Sequence, residues 1–381
     1  MTDAPTAPTG VPQDSLDSER ANCDAILLAS FGGPEGQDDV IPFLRNVTRG
    51  KGIPDERLEE VAAHYRAHGG VSPIQQQNRD LKAALEKELE HRDIELPLYW
   101  GNRNWDPYFA DVLKEMHAAG HRRVLVLVTS AYAGHSSNDQ YLEDFDRELR
   151  ATGLENELEL VKVRPYFCDK AFAKPFDDAL ADGIRDVRER LNRAGRPEAK
   201  PKVIFVTHSI PTAVAEAQGP QRIRDEYGTD VYTAQHEAVA KHLMGSLPEA
   251  TGLEHSLVFQ SRSGSPETPW LEPDINDAIE EDAKNGVPGV VVMPIGFVSD
   301  HMEVIWDLDT EAKETAEELD MVFYRAPTPG THRAFVSGLV DIMGEYITDE
   351  KGRPLSAGEQ IVPGDWSDLT GPGGWCPWVS E

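Results

Sequence analysis

At 381 residues, 39% hydrophobic and 27% charged, the chain has ordinary globular composition and enough length for two domains. Its 37 basic and 67 acidic side chains leave a net charge of −30, a field that repels nucleic acid and anionic lipid and argues against both as partners. Three cysteines with no CxxC pair exclude a disulfide framework and a zinc ribbon and fit a reducing cytoplasm, and no window approaches the roughly 20 apolar residues of a membrane span.

Residues 1–20, rich in Pro, Thr, Asp and Ser without a basic head or an apolar run, read as a disordered tail and not as a secretory leader. Eight short apolar runs bounded by Gly, Pro or Asp follow and read as buried parallel strands. Four lie at 24–30, 96–101, 123–129 and 158–164, and four more at 202–207, 256–261, 288–295 and 320–325. Helix-forming stretches separate them at 76–91, 107–119, 173–194, 231–245, 274–285 and 309–319. Alternation of strand and helix predicts right-handed crossovers and an α/β fold with two open sheets of similar plan. The break falls near 166–176, giving a first unit over 21–172 and a second over 173–332. A helix at 333–347 crosses back to cover the first unit, and an extension at 348–381 is anchored by Trp366, Trp375 and Trp378.

In open α/β sheets ligands bind beyond the carboxyl ends of the strands. His208 opens one such loop, where an imidazole can accept a proton, ligate a metal, or simply pack. Glu303, Asp307 and Glu311 recur every four residues, a step that drifts about 40° per repeat on an α-helix. A π-bulge would align them more closely. The row can pass a hydrated divalent cation by stepwise oxygen ligation, or it can be a solvated acidic face. Both His208 and Glu303 follow strands of the second set, so both can overhang one cleft, where a proton acceptor and a metal-delivering carboxylate would work as a pair. Gly32 and Gly33 in SFGGPE permit close backbone approach, but neither GxGxxG nor a P-loop is present, so a nucleotide site is unsupported. Ser72 caps the helix after HGGV, and Arg45, Arg49 and Lys51 form a basic cluster that balances charge or meets carboxylates.

Taken in order, LLASFGGPE, HGGVSPIQ, WGNRNWDP, TSAYAGHSS, VIFVTHSIP, FQSRSGSPETPWLEPD and PIGFVSDHMEVIWDLD resemble the ferrochelatase family over most of the chain. The resemblance implies two Rossmann-like domains, each with a four-stranded parallel sheet, and a porphyrin in the cleft between them. It places the family's invariant His on His208, its catalytic Glu on Glu303 and its acidic metal path on Asp307 and Glu311. Gln260, Ser261, Arg262 and Trp270 shape the second domain's side of the cleft. Phe31, Tyr132, Ser137, Tyr141 and Ser209 fall at porphyrin-contact positions. Phe31 stands where some members carry a metal-touching Tyr, so His208 should dominate axial contact. The implied reaction bends the macrocycle into a saddle and admits ferrous iron as two protons leave.

No cofactor is implied, iron being substrate. Some members hold a [2Fe–2S] cluster on four cysteines; Cys23, Cys168 and Cys376 are one short, so a remnant is expected in place of a cluster. The resemblance is to the actinobacterial branch, which points to coproporphyrin III, with Arg45, Arg49 and Ser72 meeting its propionates. Alternatives are protoporphyrin IX, another tetrapyrrole and metal, or a non-catalytic porphyrin or haem carrier. A soluble cytoplasmic monomer is expected, with transient handoff to the next enzyme of haem synthesis.

Overall fold

The computed structural model describes residues 23–370 apart from 51, 264–266 and 350–351. The tail at 1–20, together with Trp375, Cys376 and Trp378, lies outside the described residues. Eight parallel strands form two four-stranded sheets. The first holds β1 (Ala25–Ser30), β2 (Leu98–Asn102), β3 (Arg123–Val128) and β4 (Glu159–Lys162) in the order β2-β1-β3-β4. The second holds β5 (Lys202–His208), β6 (His255–Gln260), β7 (Gly289–Met293) and β8 (Val322–Arg325) in the order β6-β5-β7-β8. The two orders are the same plan run twice, and all eight strands sit where the apolar runs predict them. The fold is α/β with two Rossmann-like sheets. In each, the strand order reverses beside the first strand of its set, which opens a crevice at the carboxyl ends of β1 and β3, and of β5 and β7.

The runs are strands because both faces are covered. β1 and β7 are buried at every residue, so neither needs polar alternation. One core, including Leu28, Leu127, Tyr132, Phe167, Phe172, Phe205 and Met293, lies between the sheets and is shared by both. Separate cores cover the outer faces.

No loop separates the halves at 172/173. A continuous helix, Lys170–Arg193, begins three residues before the expected 173 and carries the chain across, with Asp169 in extended conformation ahead of it. The helix Arg333–Met343 ends four residues short of 347 and packs between Lys170–Arg193 and Ile74–His91, where Arg92 pairs with Asp341 at 2.5 Å. The chain then returns to the junction. The Ile361 and Val362 amides donate to the Cys168 carbonyl at 2.9 and 3.1 Å. Trp366, 2% exposed, stacks on Tyr227 of the second half at 4.9 Å and meets Phe167 edge-on at 5.2 Å. Arg222 holds the end of this strap through Asp368 at 2.9 Å.

Candidate active site

β5 delivers His208 to the crevice. Thr207, one residue earlier, is buried and bonded to Tyr232 Oη at 2.7 Å and His236 Nε2 at 2.9 Å, and the Tyr232 hydroxyl donates to the His208 carbonyl at 2.8 Å. Gly296 lies flat against Thr207, where a Cβ would come within 2.9 Å of its Cα. The backbone beneath His208 is therefore held from three sides. The His208 Nδ1–H is bonded to the Ser209 carbonyl, which leaves Nε2 to face Glu303 Oε2 at 3.5 Å. The imidazole side chain is 33% exposed and Glu303 51%, so both are open to a ligand. Burial pulls the imidazole pKa down, but the Glu303 carboxylate, the Ser209 carbonyl and Asp307 outweigh it and hold it above its ordinary value.

The acidic row sits on a widened helix. One α-turn at Met302–Val304 passes into a π-helix over Ile305–Ala312 and back to α at Lys313–Glu318. This is the π geometry that would align the row, and it starts four residues ahead of the helix expected at 309. Asp307 accepts hydrogen bonds from the Ser261 hydroxyl and, at 3.4 Å, from Gln260 Nε2. Ser261 holds a left-handed φ of +59°, an uncommon conformation for a residue with a Cβ and one often found at functional sites. Burial, with Glu303 and Glu311 adding to it against the Ser261 bond, pushes the Asp307 carboxyl up to about 7. Glu311 accepts from Trp306 Nε1 at 2.8 Å, and the Trp306 ring lies flat on His64 at 4.1 Å. Glu303 and Glu311 lie near enough to Asp307 for both to raise its pKa, so the three carboxylates share one stretch of this helix. Among the described residues no three of His, Cys, Asp or Glu close on one point tightly enough to hold a metal ion.

The first half supplies an apolar wall. Phe31, just beyond β1, is 36% exposed and meets Phe43 edge-on at 6.2 Å. Helices Val40–Val47 and Asp55–Ala67 form a lip, and Met302 from the second half is buried in its cluster of Val40, Phe43, Leu44, Leu58, Ala62 and Tyr65. On the same lip Arg45 pairs with Asp55 at 3.3 Å and Arg49 donates to Asn46 at 2.7 Å. The Arg45–Asp55 pair is well exposed, and a competing anion can displace it at small cost.

Several residues implied as porphyrin contacts are packed away. Tyr132, 4% exposed, stacks on His236 at 3.7 Å and donates its hydroxyl to the Ile295 carbonyl at 3.0 Å. It joins the halves at their shared core and has no surface for a macrocycle. Tyr141, also 4% exposed, lies under the Arg103 guanidinium at 3.9 Å among Phe109 and Phe145. Ser72, 2% exposed, is packed where a Cβ on Gly33 would strike it at 2.7 Å. Ser137 turns its hydroxyl back to the Gly134 carbonyl at 3.2 Å, and Ser209, buried, donates to the Leu271 carbonyl at 2.8 Å. Trp270 is half-buried with an indole N–H that finds no acceptor among the described residues, and Arg262 reaches Glu272 at 3.8 Å. Cys23 and Cys168 are buried thiols, both raised in pKa mainly by burial, so neither is a ready thiolate. Trp306, His64 and Met302 escape the motif reading because each matters only through a contact across the two halves. A polar depression of about 970 Å³ lined by Lys200, Lys202, Asp282 and Asp320 lies at the amino ends of β5, β7 and β8, away from His208.

The family model described as Ferrochelatase matches residues 23–346. The chain is 52% identical over 357 residues to a coproporphyrin III ferrochelatase of Leifsonia xyli subsp. xyli, covering 92% of this chain and 90% of that one. It is 48% identical over 359 residues to the protein of the same name from Streptomyces griseus, covering 93% of each, and 45% identical to that of Mycolicibacterium smegmatis, covering 91% and 96%. A solved structure of SirB from Bacillus subtilis with Fe3+ aligns at 14% identity and a TM-score of 0.48 over 87% of this chain and 98% of that one, too distant to bear on the site.

Proposed function

The chain belongs to the ferrochelatase family, and on that premise we propose that it inserts ferrous iron into coproporphyrin III to give the iron porphyrin of haem synthesis. The observation that carries the reading is the His208 Nε2–Glu303 pair at 3.5 Å at the inner end of the carboxylate row. Fe²⁺ enters past Glu311 and Asp307, exchanging waters for carboxylate oxygens, and reaches Glu303. The macrocycle lies between Phe31 and this pair. His208, with Nδ1–H committed to Ser209, offers Nε2 to a pyrrole proton, and Glu303 takes the second as the metal binds the four nitrogens. Two protons leave for one divalent ion, so charge and protons balance. An imidazole raised in pKa by its carboxylate neighbour is a better acceptor for the first of them.

Coproporphyrin III is the preferred substrate because the relatives at 45–52% identity carry that name and because the lip presents Arg49 and Arg45, whose exposed ion pair with Asp55 a propionate can replace. No helix among the described residues is long and apolar enough to cross a membrane. We place the enzyme in the cytoplasm, and iron–sulfur chemistry has no part in the reading.

The test is anaerobic mixing of the purified protein with Fe²⁺ and either coproporphyrin III or protoporphyrin IX, followed by absorbance. Faster conversion of coproporphyrin supports both reaction and substrate. Equal or reversed preference overturns the substrate only. Tight porphyrin binding without turnover would make the protein a carrier.

A further inference from the structure

Five carboxylates crowd the twelve residues from 300 to 311: Asp300, Glu303, Asp307, Asp309 and Glu311. They are not equivalent. Arg325, the last residue of β8, forks onto Asp309, with Nε at 2.8 Å from Oδ1 and Nη2 at 2.6 Å from Oδ2. Its remaining Nη1 donates to Asp300 Oδ1 at 3.1 Å, an oxygen that also accepts from the Thr328 hydroxyl at 3.2 Å. The Arg325 side chain is 14% exposed, Asp300 17% and Asp309 34%, so the guanidinium is largely shielded from solvent while the carboxylate of the fork stays partly open. The Asp300 amide is tied to the first half, donating to Gln77 Oε1 at 2.8 Å.

The placement of Asp309 matters. It lies two residues from Asp307 and two from Glu311, which is about half a turn on an α- or a π-helix. Fixing Asp309 on β8 therefore turns Asp307 and Glu311 to the opposite side, toward the crevice. A bidentate guanidinium–carboxylate pair sets orientation as well as distance, which an ammonium cannot do. It also neutralises Asp309 within the row and so lessens like-charge repulsion along a rare helix type. We propose that Arg325 is a positioning residue for metal delivery: by holding Asp309 and Asp300 it sets the rotational phase of the Ile305–Ala312 helix and aims Glu303, Asp307 and Glu311 at incoming Fe²⁺.

This rests on the metal-insertion reading, and the experiment separates the two. Arg325→Met, Arg325→Lys, Asp309→Asn and the Arg325→Met/Asp309→Asn double variant are compared with wild type. Arg325→Met raises the KM for Fe²⁺ roughly tenfold or more, while the KM for coproporphyrin III stays within about twofold. Arg325→Lys, which keeps the charge and loses the fork, falls between. Amide exchange of peptides over 302–313 quickens in Arg325→Met and that of 275–284 does not. The double variant is no worse than Arg325→Met alone, because the two changes remove one interaction. Equal shifts in both KM values, unchanged exchange over 302–313, or additive losses in the double variant would overturn the proposal. If wild type inserts no iron into any porphyrin, the ferrochelatase reading fails, while exchange over 302–313 and the additivity of unfolding free energies across the single and double variants still decide whether Arg325 holds Asp309.

Discussion

The two halves share one topology and use it oppositely. Each sheet is followed, after its third strand, by a stretch of π-helix: His135–Asp139 beyond β3 and Ile305–Ala312 beyond β7. In the first half that loop is turned inward. Asp139 is buried between Asn138 and His135, and Ala133 exchanges two 2.9 Å hydrogen bonds with Gln235 of the second half, so the loop fastens the halves together. In the second half the equivalent loop carries Glu303, Asp307 and Glu311 outward. The end of the first strand differs in the same sense, presenting Phe31 just beyond β1 and His208 as the last residue of β5. An identical slot in the scaffold has become a joint and an apolar wall on one side, and a charged wall on the other.

The largest effect should come from confronting the walls directly. His208→Ala is expected to lower kcat about a thousandfold with porphyrin binding, followed by fluorescence quenching, nearly intact. Phe31→Ala on the facing wall should raise porphyrin KM about tenfold at most and leave the chemistry largely alone. Comparable kcat losses in both would erase the division of labour.

Next comes the joint. Trp366→Ala removes a fully buried ring lying between Phe167 and Tyr227 and should cost about 3 kcal/mol in urea unfolding. An unchanged midpoint would show that the strap is ornamental and that the shared core alone joins the halves.

The smallest effect concerns charge on the second wall. Asp307 sits at about 7 in the folded protein against 3.8 in the unfolded chain. Between those values the folded state keeps a proton the unfolded state has released, so stability falls as pH rises through that window and is flat above it. Asn carries no such charge. The Tm advantage of Asp307→Asn over wild type should therefore grow between pH 5 and pH 8, by on the order of 2 °C given partial solvent screening. An advantage that stays constant over that window would mean that Asp307 is ionised in the folded and unfolded states alike.

All eight strands were legible because buried parallel strands are written as continuous apolar runs, and both sheets needed only those runs. The lip helices were not. Asp55–Ala67 is polar on most of its surface, and its buried residues, Leu58, Ala62 and Tyr65, gain their meaning from Met302, some 240 residues away. That His208 and Glu303 would overhang one crevice was readable from strand ends, and they face each other at 3.5 Å, while the roles of the acidic row came from the motif resemblance alone. The inward turn of Tyr132 and Tyr141 was not, since an aromatic after a strand can face a ligand or a core with the same letters. Arg325 left one signal: a guanidinium closing the apolar run DMVFY demands a buried partner.

No strand of one sheet pairs with a strand of the other among the described residues, so the gap between the walls is governed by side chains. Those side chains are unevenly graded. At the rear lie the shared core, the Tyr132–Ile295 bond and the strap; at the mouth lie Met302 in the lip and one His64–Trp306 stack. Mechanically this is a pair of tweezers, stiff at the spring and compliant at the tips. Under the proposed reaction a flat, rigid substrate would open the tips first, and the restoring force would then fall across its face.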